Sequence, residues 1–343
     1  MVSESDQLLF LTNIQRILNE GVFTSTYKFA LLHAMADICV ERGNDSGESL
    51  PVPLSEIAEK FVDYYWRQSR PYLGSENGSG DGILRQNTGK TPVIIKLLCE
   101  MNRKQYTLPK SKSERRLLRE VERTVRKMPL VFLQNIGNTR LEFLYDGNDV
   151  TDRIILKPGV MSCFRKFYPL ITDLIRGAWV RYIRRNNPDL LGVANDLDEF
   201  LFGSERAPLG NVVPILEEIQ KGDCFYCKRP IKSSPHVDHF IPWTRYPLDL
   251  GHNFVLAHNS CNLAKSDMLA AEVHLENWAR RNQESVTMLE SGFGDQGIPF
   301  DLASSNRIAI WAYGQAHRAS ALTWLKGKEY RSISDRWRRV IFQ

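Results

Sequence analysis

The chain has 343 residues, of which 43% are hydrophobic and 25% charged. This composition is typical of a folded globular protein and excludes a largely disordered chain. No apolar run approaches the roughly 18 residues that a membrane helix requires. The acidic, polar start also lacks the basic segment of a secretory signal. We therefore expect a cytoplasmic protein without a membrane partner.

The charge is unevenly distributed along the chain. The net charge is +5, but residues 101–190 alone hold 19 basic and 9 acidic side chains, and the C-terminal segment is also basic. Clustered lysine and arginine neutralise phosphates, so a nucleic acid is one partner that this pattern favours. The other interpretation is that arginine-rich amphipathic helices carry one solvated face. The charge alone does not decide between them.

Apolar positions at helical spacing dominate the N-terminal part of the chain. Helices are predicted at 7–19, 24–42, 55–68 and 91–101, with a Gly/Ser-rich loop at 74–82. A basic amphipathic helix is predicted at 111–127, ended by Pro129, and its arginine face is suited to nucleic acid.

The pattern changes to alternating β-rich runs between residues 130 and 157, where Gly137 and Asn138 give a hairpin signal. Helical spacing returns further along the chain, at 162–185, 210–220, 270–282 and in one or two helices of 301–343. Trp311, Trp324 and Trp337 in the last segment are interpreted as packing residues.

The six cysteines are too few for a disulfide framework. Three of them occur singly in apolar helical stretches and are predicted to be buried thiols: Cys39, Cys99 and Cys163. The others form a C-x-x-C turn (Cys224, Cys227) and, with a histidine, an H-x-x-C turn (His258, Cys261). Together they offer the three sulfurs and one nitrogen that structural Zn²⁺ accepts in tetrahedral geometry. The alternative is a surface histidine beside cysteines that are merely buried.

A second group of residues between and after the two turns has harder donor atoms. Asp238 supplies a carboxylate and Asn262 an amide oxygen, both suited to Mg²⁺ or Mn²⁺. His239, beside Asp238, has an imidazole that can take a proton from water attacking a phosphodiester. Asp238 and His239 must both line one site, but successive residues of an ideal strand point to opposite faces. The strand is therefore expected to twist or end at this pair.

The stretches V-D-H-F-I-P, G-H-N-F-V-L and C-N-x-x-K-S-D resemble the zinc-containing branch of the HNH endonuclease family. Their D-H…N…N pattern is also similar to the HNH domain of RNA-guided CRISPR effectors. The resemblance implies that His239 is the general base, that Asp238 and Asn262 bind the catalytic metal, and that Asn253 braces the ββα-metal loop. It also places Lys265, one turn after Asn262, near the phosphate.

This sequence departs from the usual HNH pattern at two positions, because Asn262 stands where the family often has histidine and His258 where it often has cysteine. Each substitute keeps a competent donor atom, so neither change implies an inactive enzyme. The segment from Tyr65 to Gln68 resembles uncharacterised bacterial HNH proteins, some of them linked to anti-phage defence.

The expected fold class is therefore α+β and mainly helical, with a ββα-metal module and zinc knuckle flanked by helical regions and a small β-hairpin. We expect four segments: a helical region (1–128), a β element with a basic helix (129–205), the nuclease domain (206–285) and a C-terminal helical region (286–343).

The favoured function is a DNA endonuclease that uses catalytic Mg²⁺ or Mn²⁺ and structural Zn²⁺. An inactive zinc-knuckle module that binds nucleic acid or protein, and an RNA-cleaving toxin-like effector, are the alternatives. A homodimer or a regulatory protein partner is compatible with each of them.

Overall fold

A computed structural model describes residues 2–72, 82–89, 91–103, 112–147, 150–188, 197–203, 209–232 and 234–341. Apart from Gly82, the loop predicted at 74–82 lies outside these ranges. The chain divides into two compact units, residues 1–203 and 204–343. The four-segment division expected from sequence is finer and stays a prediction. In the described ranges, no helix combines the length and apolarity needed to cross a membrane.

The N-terminal unit is mostly helical. In chain order its elements are α1 (Glu4–Glu20), α2 (Tyr27–Arg42), β1 (Leu50–Pro53), α3 (Leu54–Gln68), α4 (Val93–Arg103), α5 (Lys112–Lys127), α6 (Pro129–Phe132), β2 (Asn135–Ile136), β3 (Thr139–Arg140), β4 (Arg153–Leu156), α7 (Val160–Lys166), α8 (Tyr168–Asn186) and α9 (Leu197–Phe202). The strands form two antiparallel pairs, β1 with β4 and β2 with β3.

Helix α2 lies at the centre of this unit. Nearly all of its residues are buried, because it packs against α3, α7 and α8 on different sides. A helix in that position must be apolar around its whole circumference, and FALLHAMADICV is largely so. Cys39 is fully buried, and Cys99 and Cys163 are buried too, as predicted.

Two buried polar residues of α2, His33 and Asp37, have partners inside the unit. The hydroxyl of Tyr64 donates to Asp37 Oδ2 at 2.6 Å, and the hydroxyl of Tyr168 donates to Asp37 Oδ1 at 2.8 Å. His33 Nδ1 lies 3.3 Å from the same carboxylate, and Arg176 Nε donates to His33 Nε2 at 3.1 Å. The buried carboxylate is thus satisfied on both oxygens, as burial of a charge requires.

The β-rich prediction for 130–157 is only partly confirmed. A hairpin does turn at Gly137, whose φ of +54° favours glycine, but its strands are two residues each. Residues 129–132 form helix α6, because Pro129 occupies the first turn of a helix, where its missing N–H costs nothing. The helix predicted at 162–185 is broken at Phe167, between α7 and α8, and Pro169 lies in the first turn of α8.

The C-terminal unit combines helices with two short antiparallel strand pairs. Its elements are α10 (Val213–Gln220), β5 (His236–His239), β6 (Phe254–Ala257), α11 (Asn259–Lys265), α12 (Glu272–Glu284), α13 (Val286–Asp295), α14 (Leu302–Arg318), β7 (Leu322–Lys326), β8 (Glu329–Ser332) and α15 (Arg336–Ile341). Short 3-10 turns precede α10 and β6.

The core of the C-terminal unit fixes strand β6 against helices α10 and α13. Phe254 and Leu256 of β6 pack with Leu216 of α10 and Phe293 of α13. Gly251 lies so close to the Phe293 ring that an added Cβ would come within 2.4 Å of it. The turn that leads into β6 is therefore held against the core by a position that only glycine fits.

The C-terminal prediction of one or two helices over 301–343 is incomplete. Helix α14 is followed by the hairpin β7–β8, which turns at Gly327 with a φ of +48°. The run LTWLKGKEYRS has a glycine between two short segments that contain threonine, tryptophan and tyrosine, a hairpin signal that the helical interpretation overlooked. Trp311, Trp324 and Trp337 are all buried, so their interpretation as packing residues is confirmed. The expected class, α+β and mainly helical, is confirmed as well.

Candidate metal and catalytic site

Four side chains of the C-terminal unit converge in the arrangement expected of a metal ligand set. The donor atoms of Cys224, Cys227, His258 and Cys261 all lie within 4.8 Å of one another. Cys227 Sγ is 3.3 Å from His258 Nδ1, and the backbone N–H of His258 donates to Cys224 Sγ at 3.4 Å. The two sequence turns, distant along the chain, therefore form one cluster in the folded unit.

Local backbone geometry builds the first of these turns. Lys228 has a φ of +57°, and its N–H donates to the carbonyl of Cys224 at 2.9 Å, which closes the C-x-x-C turn. The N–H of Phe225 donates to the carbonyl of Leu256 at 2.8 Å, so the turn is attached to strand β6. The second turn begins at His258, where β6 has ended and α11 begins.

The donor set fits zinc in chemistry as well as in position. His258 Nε2 lies 3.2 Å from the carbonyl of Pro230, which fixes Nδ1 as the free nitrogen facing the sulfurs. Burial opposes ionisation of Cys224, but backbone N–H groups of Cys227 and His258 outweigh it and lower the pKa of the thiol. Three thiolates this close would repel one another without a bound cation, and Zn²⁺ accepts this combination of ligands.

Strands β5 and β6 position the second group of residues. Asp238 pairs with Val255 and His239 with Phe254 in the antiparallel register. Strand β5 ends at His239, where the sequence led us to expect a twist or an end. The two neighbouring side chains have different surroundings, as the pleat of a strand dictates.

Asp238 is held in a polar cluster beneath the strand. Its side chain is 9% exposed, and Oδ2 accepts from the hydroxyl of Tyr226 at 2.5 Å. The ammonium of Lys265 lies 3.0 Å from Oδ2 and 3.3 Å from Oδ1. Both oxygens therefore already have partners within the chain.

Lys265, which the resemblance placed near the phosphate, has its ammonium inside the domain. Its side chain is fully buried, and its ammonium donates to the carbonyl of His239 at 2.9 Å in addition to pairing with Asp238. Burial lowers the pKa of Lys265, while Asp238 opposes that shift. In this structure Lys265 supports Asp238 and the end of β5, and its expected position near the phosphate stays a prediction.

The imidazole of His239 is fixed on three sides. Nε2 lies 2.7 Å from Asp249 Oδ1, and the two side chains are only 12% and 13% exposed. The rings of Trp243 and Phe254 meet the imidazole edge to face at 5.1 and 5.0 Å. Within the described part of the chain, no partner is found for Nδ1. The ring is oriented, and one nitrogen is left available.

Asn253 holds the loop that follows β5. Its Oδ1 accepts from the N–H of Ile241 at 2.7 Å, and its Nδ2 donates to the carbonyl of Ile241 at 3.0 Å. This pair of bonds joins the residue before β6 to the residue after His239 and Phe240. Asn253 therefore links the start of β6 to the loop that follows β5, as the resemblance implied.

Asn262 lies in α11, one turn before Lys265, and is half-buried. Because Lys265 reaches Asp238 from the next turn, α11 runs beside the end of β5. The strands β5 and β6 followed by α11 form a ββα unit, with the cysteine and histidine cluster at one side of it.

Two family models match the chain. Residues 8–190, more than half of the chain, match a model described as a domain of unknown function (DUF8808), and residues 224–268 match the HNH endonuclease model. The chain belongs to the DUF8808 family and carries an HNH endonuclease domain. No curated protein and no solved structure matches the chain significantly.

The matched HNH segment begins at Cys224 and ends just beyond α11, so it contains both the zinc-type cluster and the ββα unit. The chain therefore contains a nuclease domain of the HNH type. Sequence reasoning missed two residues that touch the site, Tyr226 and Asp249. Tyr226 lies inside the C-x-x-C turn and Asp249 in a loop, and neither position follows a spacing rule.

Proposed function

We propose that this protein is a metal-dependent endonuclease that hydrolyses phosphodiester bonds of DNA. The observation that carries the proposal is the fixed imidazole of His239, whose Nδ1 is available within a segment that matches the HNH endonuclease model. DNA is proposed as the substrate because the family resemblance implies it.

In this proposal His239 removes the proton from the attacking water at Nδ1. Its Nε2–H donates to Asp249, which keeps the proton on Nε2 and leaves the Nδ1 lone pair available. The carboxylate also stabilises the imidazolium that forms when Nδ1 takes the proton. The aromatic rings of Trp243 and Phe254 restrict rotation of the imidazole, so little reorganisation precedes the step.

The proposed catalytic ligands are Asp238 and Asn262, whose oxygen donors fit Mg²⁺ or Mn²⁺. A carboxylate has about four acceptor positions. Lys265 and Tyr226 therefore leave room for a further partner on Asp238. When bound, the metal supplies positive charge that polarises the scissile phosphate and stabilises the leaving oxygen.

The remaining residues have positioning roles in the proposal. Asn253 holds Ile241, and with it the segment that follows His239, at a fixed distance from β6. Zn²⁺ on the four-residue cluster joins the C-x-x-C turn to the start of α11, and so fixes the helix that carries Asn262.

One observation favours a second candidate, a zinc module that binds nucleic acid or protein without catalysis. Both oxygens of Asp238 are engaged by Lys265 and Tyr226, and removing one partner of a buried ion pair of this kind is costly. If a divalent cation does not displace or share these partners, the catalytic ligand set is incomplete.

A plasmid assay tests the proposal. The full-length protein and its His239→Ala variant are incubated with supercoiled DNA and, in parallel, with a single-stranded RNA, each with Mg²⁺, with Mn²⁺ or without a divalent cation. The proposal expects metal-dependent nicked or linear plasmid from the wild type alone. Cleavage of RNA and not DNA would support the toxin-like alternative, and binding without cleavage under every condition would support the zinc module.

Three further expectations stay predictions. A role in anti-phage defence predicts a lower plating efficiency of phage on cells that express the wild type than on cells that express His239→Ala. A regulatory partner predicts low activity of the isolated protein that rises on its addition. A homodimer predicts twice the chain mass in solution.

A further inference from the structure

Helix α5 of the N-terminal unit presents a row of cations to solvent. Among the side chains of α5 whose burial the structure describes, six are basic and exposed: Arg115, Arg116, Arg119, Arg123, Arg126 and Lys127. At 3.6 residues per turn they occupy an arc of about 120° and extend along about 18 Å of the helix axis. We call this set the α5 stripe.

The opposite side of the same helix anchors it. Leu117, Val121 and Val125 are buried, and α5 packs closely against α3. The direction of the stripe is therefore set by the core of the unit and does not depend on a partner. A fixed row of charges loses less side-chain and backbone freedom on binding than a charged tail would.

Little of the stripe's charge is neutralised within the described ranges. Arg123 pairs with Glu120 at 2.9 Å, an exposed contact of small energetic value. No other member of the stripe has an ion pair in the described part of the chain. Six cations on one side of the helix raise the local positive potential, which attracts an anionic partner.

We propose that the α5 stripe binds the phosphate backbone of double-stranded DNA. Duplex DNA carries one charge per about 1.7 Å of axis when both strands are counted, so 18 Å of duplex carries about ten phosphates, and a row on one side can contact those that face it. Five of the six cations are arginine, whose planar guanidinium donates two parallel hydrogen bonds to a phosphate. Such contacts position the protein on DNA without reading the base sequence.

The proposal assigns a role to the DUF8808 part of the chain and rests on the proposed function only in its choice of DNA. An acidic protein surface is the other occupant that six cations fit. We favour DNA because the same chain carries an HNH endonuclease domain, which acts on phosphodiesters.

The test compares two triple variants of the full-length chain. Arg115→Gln, Arg119→Gln and Arg126→Gln together remove three of the six charges of the stripe, and glutamine preserves helix propensity. The matched control removes three exposed charges from α4, β4 and α7: Lys96→Gln, Arg153→Gln and Lys166→Gln. Circular dichroism and the unfolding temperature establish that both variants are folded.

Affinity for a fluorescent 30-base-pair duplex of arbitrary sequence is measured by anisotropy without added divalent cation, from about 50 to 200 mM salt. Each lost phosphate contact reduces the slope of log K against log salt by about 0.9, so the stripe variant should show a slope shallower by about 2 to 3. Its binding at 100 mM salt should be weaker by at least about tenfold, whereas the control keeps the wild-type slope.

The proposal is overturned if the stripe variant and the wild type have equal slopes, if the control loses as much affinity as the stripe variant, or if the wild type does not bind the duplex. Because no divalent cation is present, this result is separate from the cleavage assay. A protein whose stripe binds DNA but which cuts nothing would refute the proposed nuclease and leave the stripe in place.

Discussion

Removal of the Asp249 carboxylate isolates the orientation of the proposed base. In the Asp249→Ala variant, His239 keeps its imidazole and its edge-to-face contacts with Trp243 and Phe254, but Nε2 loses its acceptor at 2.7 Å. The proton can then occupy either nitrogen, and the imidazolium that forms during the reaction has no carboxylate beside it.

The size of the effect follows from the contact between Asp249 and His239. A hydrogen bond to an ionised group contributes about 1.5–3 kcal/mol, and the pair is only 12% and 13% exposed, so solvent weakens it little. Since about 1.4 kcal/mol corresponds to a tenfold change in rate, the variant should cleave about 10- to 150-fold more slowly than the wild type. His239→Ala removes the base itself and should lower the cleavage rate by about 100-fold or more.

The assay is the single-turnover cleavage rate at saturating protein, with the dissociation constant for DNA measured separately. Asp295→Ala, an exposed carboxylate of the same unit, is the matched control. Nitrogen-15 shifts of His239 give a second readout, because they distinguish a proton on Nε2 from one on Nδ1. The reasoning is refuted if Asp249→Ala cleaves within twofold of the wild type, or if DNA affinity falls as much as the rate.

Three further changes test other parts of the structure. The wild type should bind one zinc ion per chain, measured by mass spectrometry, and Cys227→Ser should bind less. The control Cys163→Ser should retain the ion. A wild type free of zinc would contradict the ligand assignment. Lys265→Met leaves the buried carboxylate of Asp238 without its cation. It should therefore lower the free energy of unfolding in urea by about 3–5 kcal/mol. A variant as stable as the wild type would contradict the ion pair. Burial, helped by the Arg281 cation, lowers the pKa of His252 to about 4 in the folded state. The unfolded chain, with a pKa near 6.5, therefore binds this proton first, and stability is lost as pH falls from about 6.5 to 4. His252→Phe should lessen that loss in acid titrations of the unfolding free energy, and identical pH profiles would contradict it.

The sequence was most informative where chemistry requires particular residues at short spacing. The C-x-x-C and H-x-x-C turns predicted the four-residue cluster, because only a few residue types bind zinc and each turn brings two of them together. The end of β5 at His239 was also predictable, since Asp238 and His239 were both expected to line one site, whereas neighbouring side chains of an ideal strand point to opposite faces.

Long-range partners could not be predicted from sequence. In the sequence Asp249 is an ordinary loop aspartate, and only the fold brings its carboxylate to His239. Tyr226 contacts Asp238 because the C-x-x-C turn packs beside β5. Lys265 was placed by helical spacing at the right turn of α11, but spacing does not give burial. Its ammonium points inward to a carboxylate, where a phosphate contact had been expected.

Secondary structure was predicted well for long amphipathic helices and poorly for short elements. Helices α2, α3 and α5 have sustained apolar spacing that marks their extent. Residues 129–132 are apolar enough for a strand or a helix, and Pro129 together with the packing of α6 decides for the helix. The β7–β8 hairpin was missed because Trp324 was assigned to a helical pattern, although Gly327 marks a turn.

The central claim is that His239, in the HNH endonuclease domain, is the base of a metal-dependent DNA cleavage. The most direct test measures plasmid cleavage by wild type and His239→Ala preparations that contain equal zinc and bind DNA equally, with Mn²⁺ and then with Mg²⁺. The account predicts cleavage by the wild type alone, dependent on the added metal. Equal cleavage by both proteins, or none by either with both metals, would contradict it.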